Sequence, residues 1–413
     1  MRFDPGVRPW YIQGMNREDT MITLIRNGTL FGPDPQGEKD IMIAGGKIVA
    51  IDEPGRVKIG GPAVELLDAS GKAIVPGLID PHVHILGGGG EGGPATRAPE
   101  IRIEEIIASG VTTVIGCLGT DGVTRHLESL LAKARALEAE GITTFIFSGS
   151  YEIPPKTITG SIRSDLVLID KVIGAGEIAI SDHRSSQPTF AEIARLAADC
   201  RVGGMLGGKA GVLHLHLGDG PRRLDLLFRL AAETEIPPSQ VIPTHVNRNP
   251  ELFEESVRWA LAGGHIDITV GPEPEPGNPE VSAERAIAIC IEHRVPLERL
   301  TVSSDSNGSL PFFDRAGKLV GLTIATQQDL LRTFQSLLRR RTIGVEDAAR
   351  LFSANAAAFY KLPAKGEIRP GNDADLAIFD SGWELRHVFA RGRRLMADGM
   401  VTARGTFSPA GKD

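Results

Sequence analysis

The segment GLIDPHVHILGGGG sets His82 and His84 two residues apart at the end of an apolar run, then strips side chains from the next turn. Residues i and i+2 of a strand share a face, so the two imidazoles point together and can grip one cation. Glycines after them let the chain turn sharply and leave room for a substrate. More candidate ligands stand at or near the ends of other apolar runs: Glu177 in EIAISDHR, His216 in VLHLHLGD, His245 in VIPTHVNR and Asp305 in LTVSSDSNG. Nitrogen and oxygen donors from several strands outline a site for two metal ions. An isolated His-x-His is often a pair of ordinary surface or core imidazoles; the strand position, the two later histidines and Asp305 argue against that here. His214 shares a face with His216 one layer deeper and reads as a packed or supporting imidazole. His183 either orients Arg184 or lies on the loop surface, and His126, His265, His293 and His387 are not expected to be ligands.

Such donors matter only if the chain brings them to one place. Eight short apolar runs can be counted: AIVPGLIDPHVH, TTVIGCLGT, TTFIFSGSY, EIAISDHR, VLHLHLGD, VIPTHVNR, HIDITVGP and LTVSSDSNG. The intervals, such as TRHLESLLAKARALEAEG and SAERAIAICIEHR, carry apolar residues at helical spacing, with Ser or Thr available as N-caps and Gly near several ends. Strand then helix, eight times over, predicts an α/β fold, a (β/α)8 TIM-like barrel over residues 73–361, with polar strand ends gathered at one face. The flanks differ. MITLIRNGTLFG and DIMIAGGKIVAIDEPG near the start, and DADLAIFD and HVFARGRRLMADG near the end, read as short strands with Asn-Gly and Gly-Gly turns. They predict one small β-sandwich domain built from residues 1–72 and 362–413, with residues 1–18 as an extension.

With 413 residues, 41% of them hydrophobic, the chain can bury a barrel-sized core and a smaller partner. A net charge of -7 argues against binding nucleic acid. No apolar run approaches membrane-spanning length, and MRFDPGVRPWYIQGMNRED lacks the basic and apolar regions of a secretory signal, so a cytoplasmic protein with no membrane partner is expected. Cys117, Cys200 and Cys290 lie far apart and match no disulfide framework or CxxC metal pattern; they read as reduced core thiols.

On these residues the chain resembles the amidohydrolase superfamily and, within it, the isoaspartyl (β-aspartyl) dipeptidases. The likeness runs through GLIDPHVHILGGGGEGGP, GCLGTDGVTR, SDHRS, PTHVNRN and SSDSNGSLPFFD and spans nearly the whole chain. His-x-His marks only the superfamily, whereas the glycine loop with its Glu91 and the SDHR and THVNRN segments are more specific. The resemblance implies a zinc-dependent omega peptidase with two Zn2+ per subunit, cleaving small dipeptides and assembling as a homo-oligomer, an octamer by family likeness. One position departs from the pattern. That family commonly bridges its metals with a carboxylated lysine on the fourth barrel strand, and the corresponding residue here is Glu177; neither Lys171 nor Lys209 has the right neighbours. A glutamate is shorter but offers the same two oxygens, and alternation sets Glu177, Ala179 and Ser181 on a small face expected to line the barrel. A buried carboxylate without a cation is costly, so a bridging Glu177 is expected. The alternatives are a buried ion pair with a nearby arginine or a strand-end solvent contact, with weaker metal binding or a single ion as a further outcome.

A β-aspartyl dipeptide carries two carboxylates and one ammonium. Arg184 and Arg248 can each bind a carboxylate bidentately, Glu91 can accept the ammonium, and the hydroxyls of Thr120 and Ser309 can complete the contacts; the resemblance assigns recognition to these same positions. The expected mechanism is attack by a water activated between the two metals, with Asp305 as base and then acid, and Tyr151 bonding the developing oxyanion or, alternatively, packing a lid over the mouth. Two other functions compete: hydrolysis of a cyclic amide, as by hydantoinases or dihydroorotase, which would leave Glu91 without an ammonium, and a non-catalytic scaffold, which has no need of the four histidines and Asp305.

Overall fold

The structure, a computed structural model, describes residues 22–61, 63–274, 280–313 and 319–408. The extension expected at residues 1–18 lies outside them. All eight apolar runs form parallel strands: Leu78–Val83, Val111–Gly116, Thr143–Ser148, Val172–Ile180, Val212–Leu217, Val241–Thr244, Ile266–Thr269 and Leu300–Ser303. The first six pair in chain order and the last two pair with each other. A parallel bridge between Val83 and Ser306 carries the eighth strand's exit back to the first. A helix follows each strand: Ile103–Ala108, Leu127–Glu140, Ile162–Leu168, Phe190–Gly207, Asp225–Glu233, Pro250–Leu261, Ala283–Glu292 and Gln327–Arg339. Every strand residue is buried apart from the half-buried Phe145, as expected where helices cover one face of a parallel sheet and the barrel interior the other.

Local sequence explains several of these boundaries. Thr189 caps the helix Phe190–Gly207, accepting from the Glu192 amide while the Glu192 carboxylate reaches back to the Thr189 amide. Asn249 caps Pro250–Leu261, whose first residue is a proline that needs no amide partner there. Inside the barrel, Ile79, Ile115, Phe147, Ile173, Val212 and Ile242 meet Tyr360, which follows the helical segment Asn355–Phe359.

Two buried carboxylates tie the ring together. Asp267 accepts hydroxyl bonds from Thr244 at 2.7 Å, Thr301 at 2.6 Å and Ser303 at 2.5 Å, linking the sixth, seventh and eighth strands. Asp80 on the first strand accepts from the Ser304 amide at 3.1 Å, the Ser304 hydroxyl at 2.5 Å and Gln327 Nε2 at 2.9 Å. Burial pushes the Asp80 carboxyl up to about 6, against the pull of these bonds.

The two flanks form one nine-stranded sheet, joined where Ala73–Pro76 runs antiparallel to Leu376–Phe379. The sheet thus takes in Ala73–Pro76, four residues beyond the expected junction at 72. Its own core gathers Leu30, Ile41, Ile43, Ile48, Ile74, Ile378 and Phe389 from both ends of the chain. No helix among the described residues is long and apolar enough to cross a membrane.

Candidate metal centre

The strand ends bring all six expected ligand residues to one point. Glu177 sits at its centre, buried. Its Oε2 lies 3.0 Å from His216 Nδ1, 3.5 Å from His82 Nε2 and 3.7 Å from His245 Nε2, and its Oε1 lies 3.4 Å from His84 Nε2. Asp305 Oδ1 approaches His84 Nε2 at 3.0 Å and His82 Nε2 at 3.4 Å. Glu177 therefore faces the barrel axis, with His82, His216 and His245 against one carboxylate oxygen and His84 against the other, and not the outer helices. His245 and Asp305 hold left-handed backbone, with φ of 61° and 52°, conformations that non-glycine residues adopt at a cost and that cluster at functional sites.

Neighbouring groups fix the imidazoles. His82 Nδ1 lies 2.8 Å from His214 Nε2, and the His214 ring stacks on Phe147 at 4.7 Å. His245 Nδ1 meets the Thr269 hydroxyl at 2.8 Å. With these nitrogens engaged, His82 and His245 each present Nε2 to the centre, the arrangement by which outer partners orient metal ligands. His214 is thus a supporting imidazole, one of the two roles its position suggested. His183 is exposed on the loop.

The donor set fits divalent cations. His82 Nε2, Glu177 Oε1 and Asp305 Oδ1 are buried and have no hydrogen-bond partner. Leaving three such atoms unpaired is costly, and a cation among them satisfies all three. Burial raises a carboxyl's pKa, yet His82 and His216 hold Glu177 well below its ordinary range, and His245, His82 and His84 do the same for Asp305. Both carboxylates are anions ready to ligate. Imidazole and carboxylate donors suit zinc and similar ions.

A second layer of polar groups covers the mouth. The Tyr151 hydroxyl lies 2.8 Å from His216 Nδ1 and 3.1 Å from its Nε2. Arg184 bonds Asp182 through two nitrogens, at 3.0 and 2.7 Å, and its Nη1 stands 3.5 Å from Glu91. Glu91 accepts from Thr120 at 2.8 Å and from Ser309 at 3.2 Å. Arg248 donates to the Leu217 carbonyl at 2.7 Å, with Nη2 3.4 Å from His216 Nε2. The glycine loop carrying Glu91 turns as its composition demands: Gly87 has φ of 74°, and a Cβ there would sit 2.1 Å from the Ala98 carbonyl oxygen.

The residues expected from the sequence to bind metal or substrate or to act in the chemistry therefore lie at this centre or its rim. Four contributors were not anticipated. Asp182 fixes Arg184 and lies 3.0 Å from His216 Nε2; it stood within SDHRS, where Ser181, His183 and Arg184 were read and the aspartate was not. Thr269 orients His245. Arg125 is buried and reaches the carbonyls of Leu86, Gly88, Gly89 and Ala98 at 2.7–3.4 Å, fastening the glycine loop. Cys117, expected to be only a core thiol, is free and buried but lies beside His84.

Comparison with known proteins agrees with this geometry. The amidohydrolase family profile matches residues 244–402. A crystal structure of β-aspartyl dipeptidase from Fervidobacterium islandicum AW-1 in complex with β-Asp-Leu is 46% identical, covering 94% of this chain and 99% of that one, with a TM-score of 0.88. Dihydropyrimidinase from Brevibacillus agri NCHU1002 shares the fold at 18% identity, covering 93% of this chain and 97% of that one, with a TM-score of 0.64. Adenine deaminase from Halalkalibacterium halodurans is 24% identical over 410 residues, 95% of this chain but only 60% of the deaminase's length. A metal-dependent hydrolase follows from these matches and the ligand cluster together. The chain belongs to the β-aspartyl dipeptidases of the amidohydrolase superfamily.

Proposed function

We propose that the protein hydrolyses the β-aspartyl bond of small dipeptides, using two zinc ions held by His82, His84, Glu177, His216, His245 and Asp305. When bound, the ions would supply Lewis acidity toward the scissile carbonyl and a lowered pKa for water. Asp305 takes a proton from the attacking water and delivers it to the leaving amine. Tyr151 donates a hydrogen bond to the oxyanion as it forms. Glu91 receives the substrate ammonium, and Arg184 and Arg248 receive its two carboxylates. Asp182 keeps the Arg184 fork in a fixed plane.

The observation that carries the proposal is the setting of Glu91. Two hydroxyls hold this carboxylate beside Arg184, whose Nη2 in turn lies 3.2 Å from His216 Nε2. Adjacent fixed charges of opposite sign match a zwitterionic substrate, whereas a cyclic amide has no ammonium to meet Glu91. The Fervidobacterium islandicum enzyme, crystallised with β-Asp-Leu, supports the same choice. The test is a panel of α- and β-linked Asp and Glu dipeptides and dihydroorotate on zinc-loaded protein. Rapid cleavage of β-Asp-Leu with little action on α-Asp-Leu is expected; preference for dihydroorotate, or no turnover of any member, refutes the proposal. The proposal extends to a homo-octamer, for which light scattering would return about eight times the chain mass of 44.1 kDa.

A further inference from the structure

One buried nucleophile at the centre has no role in the hydrolysis as set out above. Cys117 follows the second strand directly, and its amide donates to the Val83 carbonyl at 3.0 Å, which turns its side chain toward the first strand's histidines. Its Sγ lies 3.8 Å from His84 Nδ1. The sulfur, one nitrogen from each of His82 and His84 and one oxygen of Glu177 all lie within 4.8 Å of one another. Donors sharing one tetrahedral ion stand roughly 3–4 Å apart, so small side-chain adjustments suffice to close the set.

Three observations point from this cluster to a ligand. His82 Nε2 and Glu177 Oε1, both fully buried, have no hydrogen-bond partner, which is independent of the thiol. The backbone is kept clear at the same spot, where a Cβ on Gly119 would lie 2.9 Å from His84 Cε1 and 3.4 Å from Glu177 Oε1. Charge is the third. Two divalent ions bring four positive charges into a water-poor site, and Glu177 and Asp305 return only two; an additional anionic donor lowers the cost of burying the ions.

We propose that Cys117 is a metal ligand: as a thiolate it joins His82, His84 and Glu177 in holding one of the ions, its proton passing to solvent as the metal binds. This rests on the metal-dependent hydrolase reading. It gives the His82 and His84 position a soft donor, and so a preference for zinc, cobalt or cadmium over manganese or magnesium. Cys200 and Cys290 lie on the helices Phe190–Gly207 and Ala283–Glu292, away from the cluster, and serve as internal controls.

The direct test is X-ray absorption at the zinc edge on the full-length, zinc-loaded, unsubstituted chain, which does not depend on any variant folding. The expected spectrum holds a zinc–sulfur shell at about 2.3 Å beside nitrogen and oxygen at about 2.0–2.1 Å. In cobalt-loaded protein, a near-ultraviolet thiolate-to-cobalt charge-transfer band is expected, lost in Cys117→Ser and retained in Cys200→Ser and Cys290→Ser. Turnover of β-Asp-Leu is measured on the same samples. A fully loaded, active enzyme with only nitrogen and oxygen scatterers overturns the thiolate ligand and leaves the hydrolase standing, with Cys117 then a hydrogen-bond partner of His84. A chain that takes up no metal overturns both.

Discussion

Replacing Tyr151 by Phe separates chemistry from architecture. The lost hydroxyl contacts both nitrogens of His216, yet those nitrogens keep Glu177 Oε2 and Asp182 Oδ2, each at 3.0 Å. The phenyl ring keeps its place 4.4 Å from the His216 ring and 5.5 Å from the Arg184 guanidinium. No buried partner is orphaned, so the fold should lose only about 0.5–1.5 kcal/mol, the worth of one net hydrogen bond. Burial first, and then the charge of Glu177, hold the phenol well above its ordinary pKa, so it carries its proton throughout the working range. If that proton is aimed at the developing oxyanion, its loss lowers kcat by about 10²–10³, or roughly 2.7–4 kcal/mol. Glu91 and the two arginines are untouched, so KM should move by less than about threefold. Steady-state cleavage of β-Asp-Leu reads the kinetic pair, and urea unfolding reads the stability. A variant with kcat within threefold of the parent and an unchanged KM removes Tyr151 from the chemistry.

Glu91→Gln keeps both hydroxyl bonds available but removes the charge facing the ammonium. It should lower kcat/KM for β-Asp-Leu by about 10–100-fold, the worth of a charge-assisted bond, and a change below threefold would assign the ammonium elsewhere. Arg125→Met leaves the carbonyls of Leu86, Gly89 and Ala98 without their donor and Gly88 with the Ala98 amide alone. A loss of about 2–4 kcal/mol is expected in urea unfolding, with a raised KM because Glu91 rides on that loop; parental stability and KM together would show that the loop holds itself. His387 accepts from Arg394 at 3.0 Å and from the Asp398 amide at 3.1 Å, and burial followed by Arg394 pushes its pKa down to about 4. The unfolded chain binds this proton below about 6.5 and the folded chain does not until about 4. The neutral ring therefore contributes stability above pH 6.5 that is lost as pH falls to 4, by at most about 1.4 kcal/mol per pH unit. His387→Asn should flatten that part of the stability profile relative to the parent, and identical slopes would exclude His387 as its source.

The barrel was legible because each strand is a short apolar run with a polar end, and eight such runs alternate with helical spacing. The candidate ligand histidines were legible for the same reason. Period-two spacing puts His82 and His84 on one face, and the runs ending in His216, His245 and Asp305 could converge only at one mouth. Glu177 was placed by counting back from SDHR, and the structure sets it at the centre of the cluster. What the sequence hid depends on contacts across strands. Arg125 looks like a surface residue on a helix approach until the glycine loop folds over it. Asp182 looks like a loop acid until Arg184 and His216 close on it. Thr269 is an ordinary strand threonine until His245 turns left-handed toward it. Cys117 carries no CxxC partner, and only closure of the first, second and fourth strands brings it to His84 and Glu177. The sheet junction was misplaced by four residues because AIVPGLIDPHV reads as one continuous run, whereas the chain leaves the sheet after Pro76 and starts the barrel at Leu78.

The central claim is that Glu177 lies between two cations, each gripped by a different pair of histidines. Crystals of the zinc-loaded protein, measured on either side of the zinc absorption edge, test it most directly. The account predicts two anomalous peaks, one against His82, His84 and Glu177 and the other against Glu177, His216 and His245. A map in which the Glu177 carboxylate touches no peak, or in which either histidine pair holds none, contradicts it.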